Sequence, residues 1–441
     1  MSRILVDLTE FKDWNGHLTG IQRVVYGIAS NLQTRDNVIF CEYDHKTKRL
    51  VHQDISVYDT SVNESSDSGS NRSHLKQELI KLYFKMPYRV RNRVTANQKR
   101  KLLILAKNAY KLNVLSKNAV KNVLIKKQIE TPTRAVNLNS DDTVLLIGRL
   151  WDHADFMQYL LSEKERINIK LAVVIYDLIP IYQQHTFGKG LTEPFTRYLF
   201  NTLTSADIVL PISQSSSNDL KVFASETGFL KLPEVHVIRL GDNLGSTNKQ
   251  LKPDWLIKGE GGFGICVGTI EARKNHTLIY YAYKLAAQEK NNLPKLYIIG
   301  KPGWLTSDIL YAIEQDDDVN QLIKVIKTTS DEELSWLYSN ALFTVFPSQY
   351  EGWGLPIAES LLYGTPCIAS NTSSMIEIAP NLVDHISPYD TRDLLDKIVY
   401  YSDHSNSADK RREIKDKYTP YLWSETAIKL YKKLSLLNSD K

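Results

Sequence analysis

Short runs rich in β-branched residues alternate with amphipathic stretches over most of the chain, and this alternation restricts the fold more than any other feature. In the first half the strand candidates are ILVD (4–7), NVIFCEY (37–43), TVLLIG (143–148), LAVVIYD (171–177), DIVLPIS (207–213) and VHVIRLG (235–241). Helical patterns such as 20–32, 191–204 and 215–224 lie between them. In the second half the runs are FGICVG (263–268), KLYIIG (295–300), KVIKT (324–328), ALFTVFPS (341–348) and PCIAS (366–370), again separated by helical patterns. Such alternation implies βαβ units and parallel sheets. A chain of 441 residues exceeds the roughly 250 to 300 at which a single core stops growing, so two domains are expected. The polar, glycine-rich stretch 241–262 has no period of two or 3.6 and reads as the linker. Ser330, Asp331, Glu332 and Glu333 form a capping box ahead of LSWLY and mark a helix start.

Apolar and charged fractions of 42% and 24% are those of a globular protein with material for two cores. The start, MSRILVDLTEF, reads as an immediate strand and not as a secretory signal. No run approaches the roughly 18 apolar residues of a membrane-spanning helix. Cys41, Cys266 and Cys367 are widely spaced and odd in number, without zinc or disulfide spacing, which fits a reducing cytoplasm. Charge is unevenly spread: residues 72–127 hold 16 Lys or Arg against the single acid Glu78, inside a chain whose total is only +5. That basic segment follows a Ser/Asn-rich loop (60–73) and carries apolar residues at helical spacing, so an amphipathic helical insertion with a cationic face is expected over about 60–135.

Chemistry concentrates in FPSQYEGWGLPIAESLLYGTPCIAS (346–370): a strand, a tight turn with two glycines, a proline suited to a first helical turn, then the helix. Glu351 falls at the carboxyl end of the strand, where open α/β sheets bind ligands. The amides from Gly352 through Trp353 and Gly354 to Leu355 fall at a helix N-terminus, which attracts phosphate oxygens. Glu359 comes about one turn later, at a different depth of the same pocket. In ICVGTIEARKNHTLIYYAYKLA (265–286) a strand ends in a small-residue turn that carries Arg273 and Lys274 ahead of a helix. Two cations there suit a diphosphate leaving group.

Glu351 and Glu359, with Gly352, Gly354 and Pro356 between them, resemble the E-x(7)-E arrangement of the retaining glycosyltransferases of family 4, the glycosyl transferases group 1. The resemblance assigns Glu351 to the hydroxyls of a donor sugar and Glu359 to the ribose of its nucleotide. Arg273 and Lys274 look like the phosphate-binding pair of that family's E-P-R-K-N segment, with Ala272 in place of proline and Thr269 where many members carry arginine. Thr19 to Arg23 resembles the family's first loop, in which a glycine, here Gly20, approaches the donor phosphates. VVIYDLIPIYQQHTF (173–187) is similar to the H-D-x-x-P element, keeping Asp177 and Pro180 but replacing the histidine by Tyr176. His17 and His185 stand as open candidates for an imidazole, and Asp177 reads equally as a turn cap. SADIVLPISQSSSNDL (205–220) matches as scaffold, with Ser213 near the cleft.

The resemblance covers residues 1–45 and 140–435 and implies a GT-B fold of two Rossmann-like domains facing across a cleft. The expected divisions are an acceptor domain over 1–245, a nucleotide-sugar domain over 246–419 and a helix over 420–441 that packs back across the domains. It implies hexosyl transfer with retention, without a metal, from a nucleotide-sugar donor to a glycan or lipid-linked glycan in cell-surface polysaccharide assembly. Segments VGTIEARKN and YEGWGLP point to GDP-mannose or a rhamnose donor. No nucleic-acid partner is expected. The basic segment suggests attachment to an anionic inner membrane face, since each cation near such a leaflet contributes about 1 kcal/mol; a solvated insertion is the plain alternative. A noncatalytic sugar-nucleotide-binding subunit and a sugar-nucleotide epimerase are the rival functions. Two patterns are set aside. Gly259 to Gly264 fits G-x-G-x-x-G but precedes a strand, and Asp316 to Asp318 contains D-x-D but follows a helix.

Overall fold

A computed structural model describes residues 2–12, 20–55, 134–188, 190–242, 249–256 and 262–437. The Ser/Asn-rich loop, the basic segment, His17 and Thr19 lie outside the described residues. Residues 1–55 and 136–441 form one compact unit, built on two sheets. The first contains β1 (Ile4–Asp7), β2 (Val38–Asp44), β3 (Arg49–His52), β4 (Thr143–Leu146), β5 (Lys170–Ile175), β6 (Ile208–Pro211) and β7 (Glu234–Val235) in the order β3-β2-β1-β4-β5-β6-β7. Only β3 runs antiparallel to its neighbour. The second contains β8 (Phe263–Val267), β9 (Lys295–Ile299), β10 (Ile323–Ile326), β11 (Phe343–Phe346), β12 (Cys367–Ser370) and β13 (Asp384–Ile386), all parallel, in the order β10-β9-β8-β11-β12-β13.

Helices cross between the strands: α1 (Gly20–Leu32), α2 (Ala154–Ile167), α3 (Thr192–Ser205) and α4 (Gln214–Glu226) serve the first sheet. α5 (His276–Gln288), α6 (Ser307–Gln315), α7 (Asp331–Asn340), α8 (Leu355–Leu362), α9 (Thr391–Ser402) and α10 (His404–Lys417) serve the second, and α11 (Trp423–Leu437) ends the described chain. Helices on both faces bury the strands completely, which is why β4, β6, β11 and β12 are apolar or small at every position and β1 at all but its last, Asp7. Where strand order reverses, at β1/β4 and again at β8/β11, neighbouring helices leave to opposite faces and a crevice opens at the strands' carboxyl ends.

The capping box is present: Ser330 Oγ accepts from the Glu333 amide, and the Glu333 carboxylate accepts from the Ser330 amide. Two strands escape the sequence reading, β3 and β13, both short edge strands with polar or charged positions and so with little periodicity. The run 235–241 pairs with β6 only through alternate amides, His236 to Val209 O and Ile238 to Pro211 O, so its regular strand stops at Val235. No helix among the described residues is long and apolar enough to cross a membrane.

The chain passes from the first sheet to the second after Leu240 and returns before Trp423, and the two crossings are tied together. Buried Asp242 accepts from Tyr418 Oη and the Tyr421 amide, both at 2.7 Å, and pairs with Arg239. Trp423 then opens α11 and lies flat on the first sheet's side: a Cβ on Gly27 of α1 would fall 2.4 Å from its indole, and one on Gly241 2.5 Å. Thr426 Oγ1 to Arg239 O and Tyr431 Oη to Asn37 Oδ1 extend the attachment along the helix. Truncating a buried tryptophan costs about 3 to 5 kcal/mol. Trp423→Ala is therefore expected to lower unfolding free energy by that amount in urea titrations, with Glu351→Ala as a comparison at a distant site.

Candidate active site

Glu351 stands in the loop between β11 and α8, buried to 7% exposure. Its loop is pinned by the loop after β12. The Glu351 amide donates to Ser373 Oγ at 2.9 Å, Ser374 Oγ donates to the carbonyls of Glu351 and Trp353 at 2.8 and 2.6 Å, and Thr372 Oγ1 donates to Gln349 O at 2.9 Å. Gly354 ends the loop at φ of 132°, a conformation that side chains rarely adopt. Gly352 is required for a different reason. A Cβ there would fall 2.5 Å from Tyr176 O and 3.2 Å from Asp177 Oδ2, so the loop's backbone lies directly against the end of β5 in the opposite half.

Arg273 and Lys274 sit in the turn after β8, the strand beside β11. Asn275 closes that turn in the left-handed region at φ of 59°, and its amide group donates to Pro347 O and Pro388 O. The Gln349 amide donates to Arg273 O at 2.8 Å. With both loops locked, Arg273 Nη1 meets Glu351 Oε2 at 2.7 Å and Lys274 Nζ meets Oε1 at 2.6 Å. Arg273 also pairs with Glu271 at 3.1 Å, and Lys274 Nζ lies 4.6 Å over the Phe346 ring. Burial pushes the Glu351 carboxyl up, but the adjacent Arg273 and Lys274 outweigh it and hold the pKa at about 2. Across the cleft, burial raises Asp177 to about 6 against the opposing effect of Arg273.

A second carboxylate lies deeper. Glu359 Oε1 accepts from Arg23 Nη1 at 2.7 Å and Oε2 from Tyr338 Oη at 2.8 Å. Arg23 belongs to α1, in the opposite half, and its other nitrogen lies 3.4 Å from Asp331 Oδ1 at the start of α7. The cleft that contains both carboxylates has a volume of about 490 Å³, within the range of small-molecule sites. Its first-half wall is largely apolar, with Ile21, Trp151, Ile179, Phe187 and Phe195, whereas its second-half wall is charged.

Residues 247–418 match the model of the family described as glycosyl transferases group 1. That stretch spans most of the second half, which is similar to a group 1 glycosyltransferase domain. Among curated proteins the chain is 34% identical over 143 residues to O-antigen chain mannosyltransferase B of Escherichia coli, covering 31% of this chain and 37% of that protein. It is 27% identical over 216 residues to the serotype-specific mannosyltransferase WbdA of Escherichia coli, covering 47% and 26%. The chain thus spans only 26% to 37% of the length of these relatives. Among solved structures, Anabaena Alr3699/HepE, crystallised with UDP and glucose, superposes with a TM-score of 0.55 at 13% identity over 99% of this chain and all of that one. Sucrose-phosphate synthase from Thermosynechococcus elongatus gives 0.51 at 17% identity over 68% and 74%. The architecture is the GT-B fold.

Between this half and the one facing it, the fold brings the sequence candidates to one cleft. Glu351, Arg273, Lys274, Asp177, Glu359, Gly352, Trp353, Gly354, Leu355, Gly20 and Thr269 all line it. His185 does not: it is exposed on a short turn after the β5 loop. Tyr176, in the histidine's place, turns its hydroxyl to Ile147 O at 2.6 Å inside the first half. Ser213 caps α4 through the Ser216 amide, and Asp177 Oδ1 accepts from the Ile179 amide, as a turn cap does. Asp316 and Asp318 of the D-x-D pattern hold Lys284. Gly264 of the G-x-G-x-x-G pattern lies within β8. Beyond the capping box at Ser330, which sets the register of α7, the sequence carries no functional signal for Tyr338 or Asp331, and Arg23 has no task of its own in the Thr19 to Arg23 motif.

Removing one member of a buried charge cluster costs about 3 to 5 kcal/mol, because its partners are left uncompensated. Glu351 titrates lower in the folded chain than its ordinary 4.5, so its stabilisation is present above that ordinary value and fades as pH falls towards about 2. Glu351→Gln is therefore expected to lose about 3 to 5 kcal/mol at neutral pH. The deficit relative to the native chain should shrink in urea titrations repeated at pH values well below the ordinary carboxylate range.

Proposed function

We propose that the chain is a retaining, metal-independent glycosyltransferase that moves a hexosyl unit from a nucleotide-diphosphate sugar to a glycan acceptor in cell-surface polysaccharide assembly. One observation carries the reading: Glu351 is held between Arg273 and Lys274 at the switch point of the second sheet, facing Asp177, with Glu359 one turn deeper. In this proposal Glu351 receives the donor sugar's hydroxyls and the amides from Gly352 to Leu355 receive the diphosphate. Glu359 takes the ribose, while Gly20 and Thr269 line the phosphate end. Arg273 and Lys274 stabilise the charge that develops on the leaving phosphate, a task for which other enzymes recruit a divalent ion.

The reaction breaks the bond from the anomeric carbon to the phosphate oxygen, and the electron pair leaves with the phosphate. The acceptor hydroxyl oxygen bonds to the same face of the sugar and its proton passes to the departing phosphate, so configuration is retained. The enzyme's share is positioning and electrostatic stabilisation of an oxocarbenium-like state. The likeness to mannosyltransferases of Escherichia coli supports mannose as the transferred sugar, with GDP-mannose as first donor and a rhamnose donor as second. The apolar first-half wall, with Trp151 and Phe187, suits an acceptor that offers sugar faces or a lipid carrier.

Thermal-shift screening against GDP-, UDP- and dTDP-sugars is expected to give one strong shift. Turnover with that donor should fall at least 10²-fold in Glu351→Ala and in Arg273→Ala, as when one preorganised stabilising group is lost, and should survive EDTA. Product formed from donor alone points to an epimerase, and full turnover by Glu351→Ala removes the proposal. Residues 72–127, with their 16 cations and one acid, are proposed to hold the enzyme on an anionic cytoplasmic membrane face. The chain is expected to float with phosphatidylserine-containing liposomes at low salt and to sink once 72–127 are deleted. Equal flotation by both forms ends the membrane proposal.

A further inference from the structure

Glu359 is 3% exposed, and a buried carboxylate keeps its charge only if a counter-charge and hydrogen-bond donors reach it. The titratable groups that face it are Arg23 from α1, Asp331 and Tyr338 from α7, and Tyr363 from beyond the end of its own helix. Of these, Asp331 adds a like charge and the tyrosines are neutral, so the positive charge comes from Arg23. That guanidinium arrives from the opposite half of the cleft, 336 positions away in sequence. The second half does not supply the counter-charge from among these groups.

Geometry adds to the charge argument. Arg23 occupies one carboxylate oxygen and Tyr338 the other, at 2.7 and 2.8 Å, so the carboxylate plane is fixed from two sides. A carboxylate offers about four acceptor positions, and two remain for the adjacent hydroxyls of a ribose. A ribose brings hydrogen-bond donors but no charge, so it can share Glu359 with Arg23 and cannot replace it. Arg23 is itself oriented by Asp331 at 3.4 Å.

We propose that Arg23 is a positioning residue for the nucleotide: it reaches across the cleft to hold Glu359 ionised and oriented towards the ribose diol, so the nucleotide subsite is complete only when the two halves meet. The inference rests on the reading of Glu359 as the ribose ligand. It makes donor binding depend on the acceptor-side half through one side chain, and it couples cleft closure to occupancy.

Calorimetric titration of the full chain with GDP, UDP and dTDP between mildly acidic and mildly alkaline pH tests it. The native chain should bind one of them with little pH dependence over that range. Arg23→Gln should weaken that binding about tenfold, equivalent to 1.4 kcal/mol, and the loss should deepen as pH falls. The sign follows because burial already pushes the Glu359 carboxyl up, and removing its cation pushes it further, so that it protonates closer to neutrality. Arg23→Lys should recover most of the affinity. Glu359→Gln in the Arg23→Gln background should abolish the new pH dependence and hold affinity, at every pH, at the weak level that Arg23→Gln alone reaches at the acid end. Unchanged or tighter binding by Arg23→Gln overturns the proposal, tighter binding meaning that Arg23 blocks the site. If the native chain binds none of the three nucleotides, the nucleotide reading itself falls and Arg23's role with it, whereas native binding that ignores Arg23 removes only the inference.

Discussion

Arg273, Glu351 and Lys274 form the contact on which the arrangement of the cleft depends. The Glu351 carboxylate is buried and the two cations partly so, and the carboxylate is tolerable there because both cations lie within 2.7 Å of it. They come from loops far apart in sequence, after β8 and after β11, and meet because parallel strand order makes those strands neighbours. The backbone supports the same convergence: Asn275 holds Pro347 and Pro388, and Arg273 O holds Gln349. The ion cluster is therefore the electrostatic expression of a topological fact. In an open α/β sheet, the switch point is where two loops approach with no helix between them.

Contacts between the halves follow a second logic. At the crossings they are apolar and tight, with Trp423 wedged against Gly27 and Gly241 and Asp242 buried beneath. Around the cleft most are polar, the packing of Trp304 on Gly188 apart. Glu377, after β12, accepts from the Gln214 and Ser215 amides at the start of α4, at 2.8 and 2.7 Å, where the helix dipole favours a carboxylate. Arg23 reaches Glu359, and Tyr350 Oη donates to Asp219.

The fold was largely legible because parallel strands covered on both faces leave long apolar runs that no other architecture explains. β3 and β13 were not legible, since an edge strand of a few residues carries almost no periodic signal. The charge cluster was legible as two separate motifs, each with chemistry of its own, and their meeting was supplied by strand order. Arg23, Tyr338 and Asp331 were harder to read because their importance is relational. An arginine in the first turn of an amphipathic helix is ordinary until the helix faces a buried carboxylate from the other half. Asp177 shows the same limit: cap and cleft residue were both available readings, and it fills both positions, holding the Ile179 amide while facing Gly352.

Where the sequence departs from the family pattern, the structure supplies a local reason in two cases. Ala272 replaces a proline, and its amide donates to Trp304 O at 3.1 Å, a bond proline cannot make. That bond fixes the loop after β9, from which Trp304 reaches over to Gly188 in the first half. Tyr176 replaces a histidine, and its hydroxyl is committed to Ile147 O, with burial raising its pKa well above the ordinary value. A side chain so placed braces the end of β5 and does not exchange protons with a substrate. Its carbonyl, in turn, packs against Gly352 and accepts from Ser216 Oγ at 2.8 Å. The tyrosine in the histidine's place therefore serves architecture. A mechanism in which the leaving phosphate takes the acceptor's proton tolerates that change, because it asks the protein for position and charge and not for a base at Tyr176.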